Sequence, residues 1–345
     1  MKIKSVRGTR DIFGIESKKI RFVEKVCFET FQRYGFKEII FPTFEDVDLY
    51  IRSVGEITDI VEKQMYEFLD KKGRKLVLRP EGTASVVRVF NEHNLNDKFA
   101  LKRFCYFGPM FRYERPQKGR YREFYQFGGE IFGELVPAAD FILIKCVEEV
   151  LEKLNIDAQL YINSVGCISC RERYKNDLLD KLSKKDLCVD CKSRITKNPL
   201  RILDCKIDYD KLNDVPGIVE NFCEKCKKDY DSIKNILISQ KINFLEDKLL
   251  VRGLDYYTSF VFEFKIRSLS SEESTICAGG RYDNLTKDLG GENIPACGCA
   301  FGIDRIVEIL DEKLLPVEQL KIGISTVNEK YLTKSLEIIK MIDEC

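Results

Sequence analysis

The chain has 345 residues, 44% hydrophobic and 33% charged, enough for two or three domains around a sizeable core. Its 57 basic and 56 acidic side chains leave a net charge of +1, which excludes bulk electrostatic binding to nucleic acid and leaves only local patches for such contacts. One histidine, His93, excludes a His-based relay or a His-rich metal site, so chemistry must rest on Arg, Glu, Tyr and a metal ion.

The first segment, MKIKSVRGTRDIFG, lacks the apolar stretch of a secretory signal. No apolar run approaches the length of a membrane span. Residues 17–34 place Ile20, Val23, Val26, Cys27, Phe31 and Tyr34 on one helical face, with Gly35 as the stop. EIIFPTFED reads as a buried strand interrupted by Pro42. A helix is expected over 83–93. Two strands, FCYFGPMFRYE and FYQFGGEIF, are expected to flank the charged loop RPQKGRYRE. Residues 138–154 read as an amphipathic helix and AQLYINS as a strand. Residues 167–246 turn Cys- and Lys-rich, with short helices. LLVRGLDYYTSFVFEFKI reads as a long strand or hairpin arm, TICAGGRYDNL as strand and turn, and ACGCAFGIDRIVEIL as strand and helix. Strands that return without βαβ spacing predict an α+β fold, an antiparallel sheet flanked by helices.

Fourteen cysteines without an export signal point to a reducing compartment, here the cytoplasm. Seven fall between 167 and 226, and Cys167-x2-Cys170-x17-Cys188-x2-Cys191 has the spacing of one tetrahedral zinc site. A structural Zn²⁺ on these four residues is one reading, and buried thiols without metal are the other.

The most informative stretch is FRYERPQKGRYREFYQFGGE (111–130). It holds Arg112, Arg115, Arg120 and Arg122 among aromatics and carboxylates. Guanidinium forks grip phosphate oxygens bidentately, so the segment reads as a polyanion site. No GxxxxGK[ST] loop and no GxGxxG fingerprint is present, so a nucleotide would not bind on a P-loop or a dinucleotide fold.

Taken with RPEGTA (79–84), RGLDYYT (252–258), AGGRYDNL (278–285), GCAFGIDR (298–305), RGTRDI (7–12) and NPLRILDCK (198–206), this segment resembles the histidyl-tRNA synthetase family of class II aminoacyl-tRNA synthetases. FRYE and GIDR resemble class II motifs 2 and 3, and Pro42 suits motif 1. The resemblance implies a class II catalytic core over 1–166 and 247–318 and a helical Cys-rich insertion over 167–246. It also implies the start of a C-terminal anticodon-binding domain over 319–345, with about 70 residues of that domain expected to be absent. It implies a homodimeric enzyme of protein biosynthesis, not membrane-bound, that uses ATP and Mg²⁺ to join L-histidine to tRNA(His). With anticodon contacts missing, transfer to tRNA is expected to be weaker than adenylation.

By the same resemblance, Arg112 grips the α-phosphate and the substrate carboxylate, and Arg120 the outer phosphates. Glu114 takes the adenine amino group, Phe124 stacks on the ring, and Arg305 covers its other face. Arg252 is the fixed cation near the α-phosphate, so Arg112 and Arg252 are the catalytic candidates. Glu81, Thr83 and Gln126 hold the α-amino group, and Glu130 and Tyr257 the imidazole, with Tyr282 nearby. Gly279 and Gly280 leave room for backbone close to the ligand. Tyr256 is expected in the core, and His93 is expected to be structural or exposed. The competing reading is a non-catalytic paralogue, the regulatory subunit of ATP phosphoribosyltransferase, which tends to lose the ATP-gripping arginines retained here.

Overall fold

The computed structural model describes residues 3–55, 58–100, 102–117, 119–205, 207–267, 275–316, 324–326 and 328–343. The chain divides into two compact units, Met1–Glu312 and Lys313–Cys345. No helix among the described residues is long and apolar enough to cross a membrane.

The first unit begins with helix α1 (Gly14–Arg33), which buries Ile20, Val23, Val26, Cys27, Thr30 and Phe31 at three- and four-residue spacing. Gly35 ends it, at a φ of 81° that an L side chain rarely adopts, with its N–H donated to the Gln32 carbonyl. The expected single strand around Pro42 is instead two short strands in different sheets, β1 (Lys37–Glu38) and β2 (Phe44–Asp46). Proline cannot donate to a ladder, so the chain changes sheets at that point. Helix α2 (Val47–Val54) follows, then β3 (Tyr66–Leu69), β4 (Lys75–Leu78), α3 (Thr83–Glu92) and the single turn α4 (Leu95–Lys98). The hairpin β5 (Arg103–Phe111) and β6 (Glu123–Phe132) forms as expected, and α5 (Ala138–Lys153) and β7 (Ala158–Ser164) complete the first half.

Helices α6 (Ile168–Leu182), α7 (Val189–Lys197) and α8 (Glu224–Ser239) form the Cys-rich region, with 3-10 turns at Pro199–Asp204, Tyr209–Leu212 and Ile218–Asn221. Strand β8 (Phe244–Glu246) returns the chain to the sheet. Of the expected long arm from Leu249, only β9 (Phe260–Ile266) is strand; RGLDYYT is irregular. Glycine, aspartate and a tyrosine pair interrupt the alternation, and Val261–Glu263 of β9 is buried on both faces rather than one. Strand β10 (Thr275–Arg281), the turn α9 (Leu285–Asp288), β11 (Ala296–Gly302) and α10 (Ile303–Ile309) finish the unit.

The main sheet has eight strands in the order β1-β5-β6-β11-β10-β9-β7-β8. All neighbours are antiparallel except β1 with β5 and β7 with β8. A second sheet of order β2-β4-β3 stands apart. Along β6 the pleat sorts side chains by parity. Phe127 turns to α1, where its ring meets Phe28 at 5.1 Å and Phe31 at 4.9 Å. Phe124 and Gln126 turn the other way, into a cleft.

In the second unit, Asn328 accepts the Lys330 N–H at 3.1 Å ahead of α11 (Leu332–Asp343). Leu332, Leu336 and Ile339 lie exposed at helical spacing along α11. The strand expected at the start of KIGISTV lies outside the described residues.

Candidate active site

The β5–β6 hairpin projects its loop over the sheet, and the loop is held at both ends. The Arg112 N–H donates to the Arg122 carbonyl at 2.9 Å, and a short bridge pairs Gln117 with Arg120. The N-terminal RGTRDI segment braces it from outside. Arg122 N–H donates to the Gly8 carbonyl at 2.7 Å, and the Arg122 guanidinium lies over the Tyr113 ring at 3.9 Å. Arg10 stacks on Tyr121 at 3.6 Å and bonds both Glu16 and Asp304. Asp304 also accepts the Tyr125 N–H at 2.7 Å, so the N-terminal segment, β6 and α10 meet at one carboxylate. Arg122 is therefore a bracing residue, and Arg115 is exposed.

Beneath the loop lies a cleft of about 720 Å³. Arg112, Glu114, Arg120, Phe124, Gln126, Arg252 and Arg305, drawn from three separated stretches of sequence, all line it. Glu114 stands between two guanidiniums, 4.0 Å from Arg112 and 3.9 Å from Arg120. Arg112 lies over the Phe124 ring at 5.3 Å and is steadied by its Nε donating to the Pro80 carbonyl at 2.8 Å. Arg305 donates to the Thr275 carbonyl at 2.5 Å. A Cβ on Gly119 would come within 3.3 Å of Arg305, so the loop tip packs down on α10.

Arg252 is ion-paired with Glu263, which also takes Thr275 Oγ1 at 3.2 Å and lies 3.4 Å from the Lys265 ammonium. Burial pulls the Arg252 pKa down, but Glu263 together with Tyr257, Asp204 and Tyr256 more than offsets it, so the guanidinium stays charged. Arg252 also lines a second cavity of about 520 Å³, with Tyr257 and Arg171.

The residues expected to hold an amino acid form a buried polar group rather than an open wall. Glu130 is fully buried; one oxygen accepts Thr83 Oγ1 at 2.8 Å and the other accepts the Tyr282 hydroxyl. Both oxygens of Glu81 accept backbone N–H groups at the start of α3, from Thr83 at 2.7 Å and Ala84 at 2.9 Å. Tyr257 joins through rings: Tyr256 lies 4.8 Å from Tyr257 and 5.5 Å from Tyr282. Tyr256 is core, as expected, and His93 is exposed at the end of α3. Burial raises the Glu130 carboxyl to about 8, against the lowering effect of its two hydroxyl donors. Burial also raises Glu81, despite its two N–H donors. Tyr257 is pushed up to about 12 by burial, with Arg252 pulling the other way.

Several contributors were not expected from the sequence. Tyr106 lies across Gly128 and Gly82, where a Cβ would come within 2.2 and 2.3 Å of its ring. Its hydroxyl, Gln126 Oε1 and Arg252 Nε are buried with no hydrogen-bond partner among the described residues. Gln126 and Arg252 line the cleft, so their two atoms mark where polar ligand atoms would be stabilised. Glu263 carried a signal, a carboxylate inside the apolar strand FVFEF, and so did Gly298, a glycine inside a strand. Tyr106 carried none. Room beside Gly279 and Gly280 is already taken, by Phe262 and the Gly298 carbonyl in one case and by Tyr257 in the other. Those glycines admit protein atoms.

The single zinc set is corrected. Cys167 and Cys170 meet Cys223 and Cys226, whereas Cys188 and Cys191 meet Cys205 and Asp208. Helix α6 starts just after Cys167 and runs 15 residues, roughly 22 Å, before the chain reaches Cys188. Spacing along the sequence therefore joined two pairs that the helix holds apart.

Comparison with known proteins follows the same lines. A family profile described as Histidyl-tRNA synthetase matches residues 8–306. The chain is 48% identical to a histidine–tRNA ligase of Endomicrobium trichonymphae over 309 residues, 89% of this chain and 74% of that protein. It is 45% identical to the histidine–tRNA ligase of Thermosipho melanesiensis over 344 residues, 99% of this chain and 82% of that protein. The crystal structure of apo histidyl-tRNA synthetase from S. aureus superposes with a TM-score of 0.78 at 33% identity, covering 99% of this chain and 83% of that one.

Proposed function

The chain belongs to the histidyl-tRNA synthetase family, and we propose how its cleft carries out the histidine–tRNA ligase reaction. The protein is an ATP-dependent ligase that activates histidine and transfers it to tRNA(His). The observation that carries the site reading is the convergence of Arg112, Arg120, Arg252 and Arg305 on one cleft beside the buried Glu81–Glu130 group.

In the first step a histidine carboxylate oxygen attacks the α-phosphorus of ATP. The bond to the β-phosphate breaks, and pyrophosphate leaves with the electron pair. Both reactants are anionic, so the barrier falls when fixed positive charge faces the developing charge. Arg112 and Arg252 supply it at the α-phosphate, Arg120 at the outer phosphates. Phe124 and Arg305 enclose the adenine and Glu114 accepts from its amino group. Mg²⁺ enters with ATP as part of the substrate. Two carboxylates of the cleft, Glu263 and Asp304, are already committed to Arg252 and Arg10. In the second step a terminal ribose hydroxyl attacks the carbonyl carbon, loses its proton, and AMP leaves.

Glu81, Thr83 and Gln126 take the α-ammonium of histidine. Glu130, Tyr257 and Tyr282 face the imidazole. A site that bonds both ring nitrogens leaves its buried groups unpaired when an isostere enters, discriminating by up to about 10⁴-fold. Residues 1–166 and 247–318 act as the catalytic core and 167–246 as an insertion, with 319–345 opening an anticodon-binding domain. The active form is a cytoplasmic homodimer. The regulatory-paralogue reading has less support, since the curated relatives carry the ligase name.

Histidine-dependent ATP–pyrophosphate exchange tests the reading. Exchange with histidine and none with other amino acids is expected. Absence of exchange with histidine in a folded, ATP-binding protein overturns it.

A further inference from the structure

The insertion repeats one local device three times. Cys167, Cys188 and Cys223 each sit at a helix N-cap with nearly the same backbone, φ from −63° to −75° and ψ from 165° to 172°. In each case a second cysteine follows three residues on, in the first helical turn: Cys170, Cys191 and Cys226. An N-cap and a first-turn side chain on the same helix end point toward a common spot. Each pair therefore presents two thiols ready to share a ligand.

The folded chain completes two sets of four. In the first, Cys167, Cys170, Cys223 and Cys226 bring their Sγ atoms within 4.8 Å of one another. Cys167 Sγ lies 3.4 Å from that of Cys170 and 4.0 Å from that of Cys223. In the second, Cys188, Cys191, Cys205 and an Asp208 oxygen show the same closeness, with Cys188 and Cys205 Sγ 3.8 Å apart and Cys205 Sγ 3.9 Å from Asp208 Oδ2. Sulfurs at about 2.3 Å from a tetrahedral zinc lie about 3.8 Å apart, so these separations suit a shared ion; a disulfide needs about 2.05 Å. Backbone N–H groups already point at the sulfurs, from Cys223 to Cys170 at 3.1 Å and from Cys191 to Cys188 at 3.5 Å. Such donors stabilise thiolates. Asp208 is fully buried and its Oδ2 accepts the Cys188 N–H at 2.9 Å.

We propose that the insertion holds two structural zinc ions, one on Cys167, Cys170, Cys223 and Cys226 and one on Cys188, Cys191, Cys205 and Asp208. Each has four ligands and no open position, the pattern of a structural centre rather than a catalytic one. The fold of this region supports the need for them. Among the described residues between α6 and α8 there are only α7 and three 3-10 turns, around a small apolar cluster that includes Leu178, Leu187, Ile202 and Leu212. Small cores of this kind are commonly stapled by metal. The first ion ties the chain just beyond β7 to the start of α8. The second ion anchors the turn Pro199–Asp204, whose Arg201 donates to the Gly253 carbonyl at 2.7 Å beside Arg252. Cys205 itself lines the wall of the main cleft.

The experiment is metal analysis of the full chain purified without chelator, with zinc offered in the medium. About two zinc per chain are expected, falling to about one in Cys167→Ser/Cys170→Ser and in Cys188→Ser/Cys191→Ser. Asp208→Asn keeps every thiol, so it guards against variants that fail to fold; it should release one of the two zincs to a competing chelator at least about tenfold more readily. Fewer than about 0.2 zinc per chain, or intact masses showing disulfides within either set, overturn both sites. One zinc per chain with Asp208→Asn unchanged overturns the second.

Discussion

Gly298 of β11 pairs with Glu130 of β6, and a Cβ on Gly298 would lie 1.6 Å from the Glu130 Oε2 atom. The carboxylate that is to read the substrate ring therefore occupies space left by its cross-strand neighbour. Gly298→Ala should displace Glu130 from Thr83 and Tyr282 and raise the KM for histidine at least about tenfold. Overpacking of this kind costs about 1–3 kcal/mol, which a urea melt would register. An unchanged histidine KM would sink the assignment.

Glu130 also sets a pH dependence. Its folded-state pKa is raised from 4.5 to about 8, chiefly by burial. Between those values the folded protein keeps a proton that the unfolded chain gives up. Its stabilising contribution is complete below about 4.5 and is lost as pH rises through about 8. The ligand-free protein should lose a few kcal/mol across this window, and Glu130→Gln should flatten that slope. Urea melts from pH 5 to 8 check it. Histidine binding near pH 7.5 should release a proton, seen by calorimetry in buffers of different ionisation enthalpy, and the Gln variant should not.

Arg252→Ala should slow histidine-dependent exchange by about 10²–10³-fold, the loss expected for one preorganised charge at a transition state. Lys265 and Thr275 remain beside Glu263, so the fold should persist, as circular dichroism would record. Wild-type exchange in this variant would refute the role.

Not every arginine in the motifs is expected to touch substrate. Arg281 of AGGRYD is fully buried and makes three hydrogen bonds to Asp140 of α5, at 2.7–2.9 Å. Asp140→Ala leaves a buried guanidinium without that partner and should cost about 3–5 kcal/mol. Thermal or urea unfolding measures it. A loss of exchange activity with unchanged stability would contradict this structural role.

Arg10 links the N-terminal segment to α10 through Asp304 and to the hairpin loop through Tyr121. Arg10→Ala should loosen the loop over the cleft and raise the KM for ATP several-fold, with a smaller change for histidine. Steady-state exchange at varied ATP tests the difference.

Helices α1, α3 and α5 and the β5–β6 hairpin could be read along the chain because their apolar periods and turn residues are local properties. The loop arginines, Glu114 and Arg305 stood out for the same reason, as dense charge inside short recognisable motifs. RGLDYYT was misread as strand because the alternation of VFEFKI, which follows it, was extended back over it. Pro42 marked the interruption of its strand, but which sheet each half joins depends on partners distant in sequence, Phe104 and Cys105 for β1 and Leu76 to Leu78 for β2. Glu263, Tyr106 and Gly298 acquire their meaning only across the sheet, where each faces residues distant in sequence.

The sequence by itself determined which side chains are available, their charge, and the family whose order and spacing they follow. Tertiary structure alone decided which of them meet. Ladder register set Gly298 opposite Glu130, and helix α6 kept Cys167 and Cys170 away from Cys188 and Cys191. The physical reason is that periodicity and propensity act over a few residues, whereas ligand geometry and a buried carboxyl's pKa depend on neighbours within a few ångströms, wherever they lie in the chain.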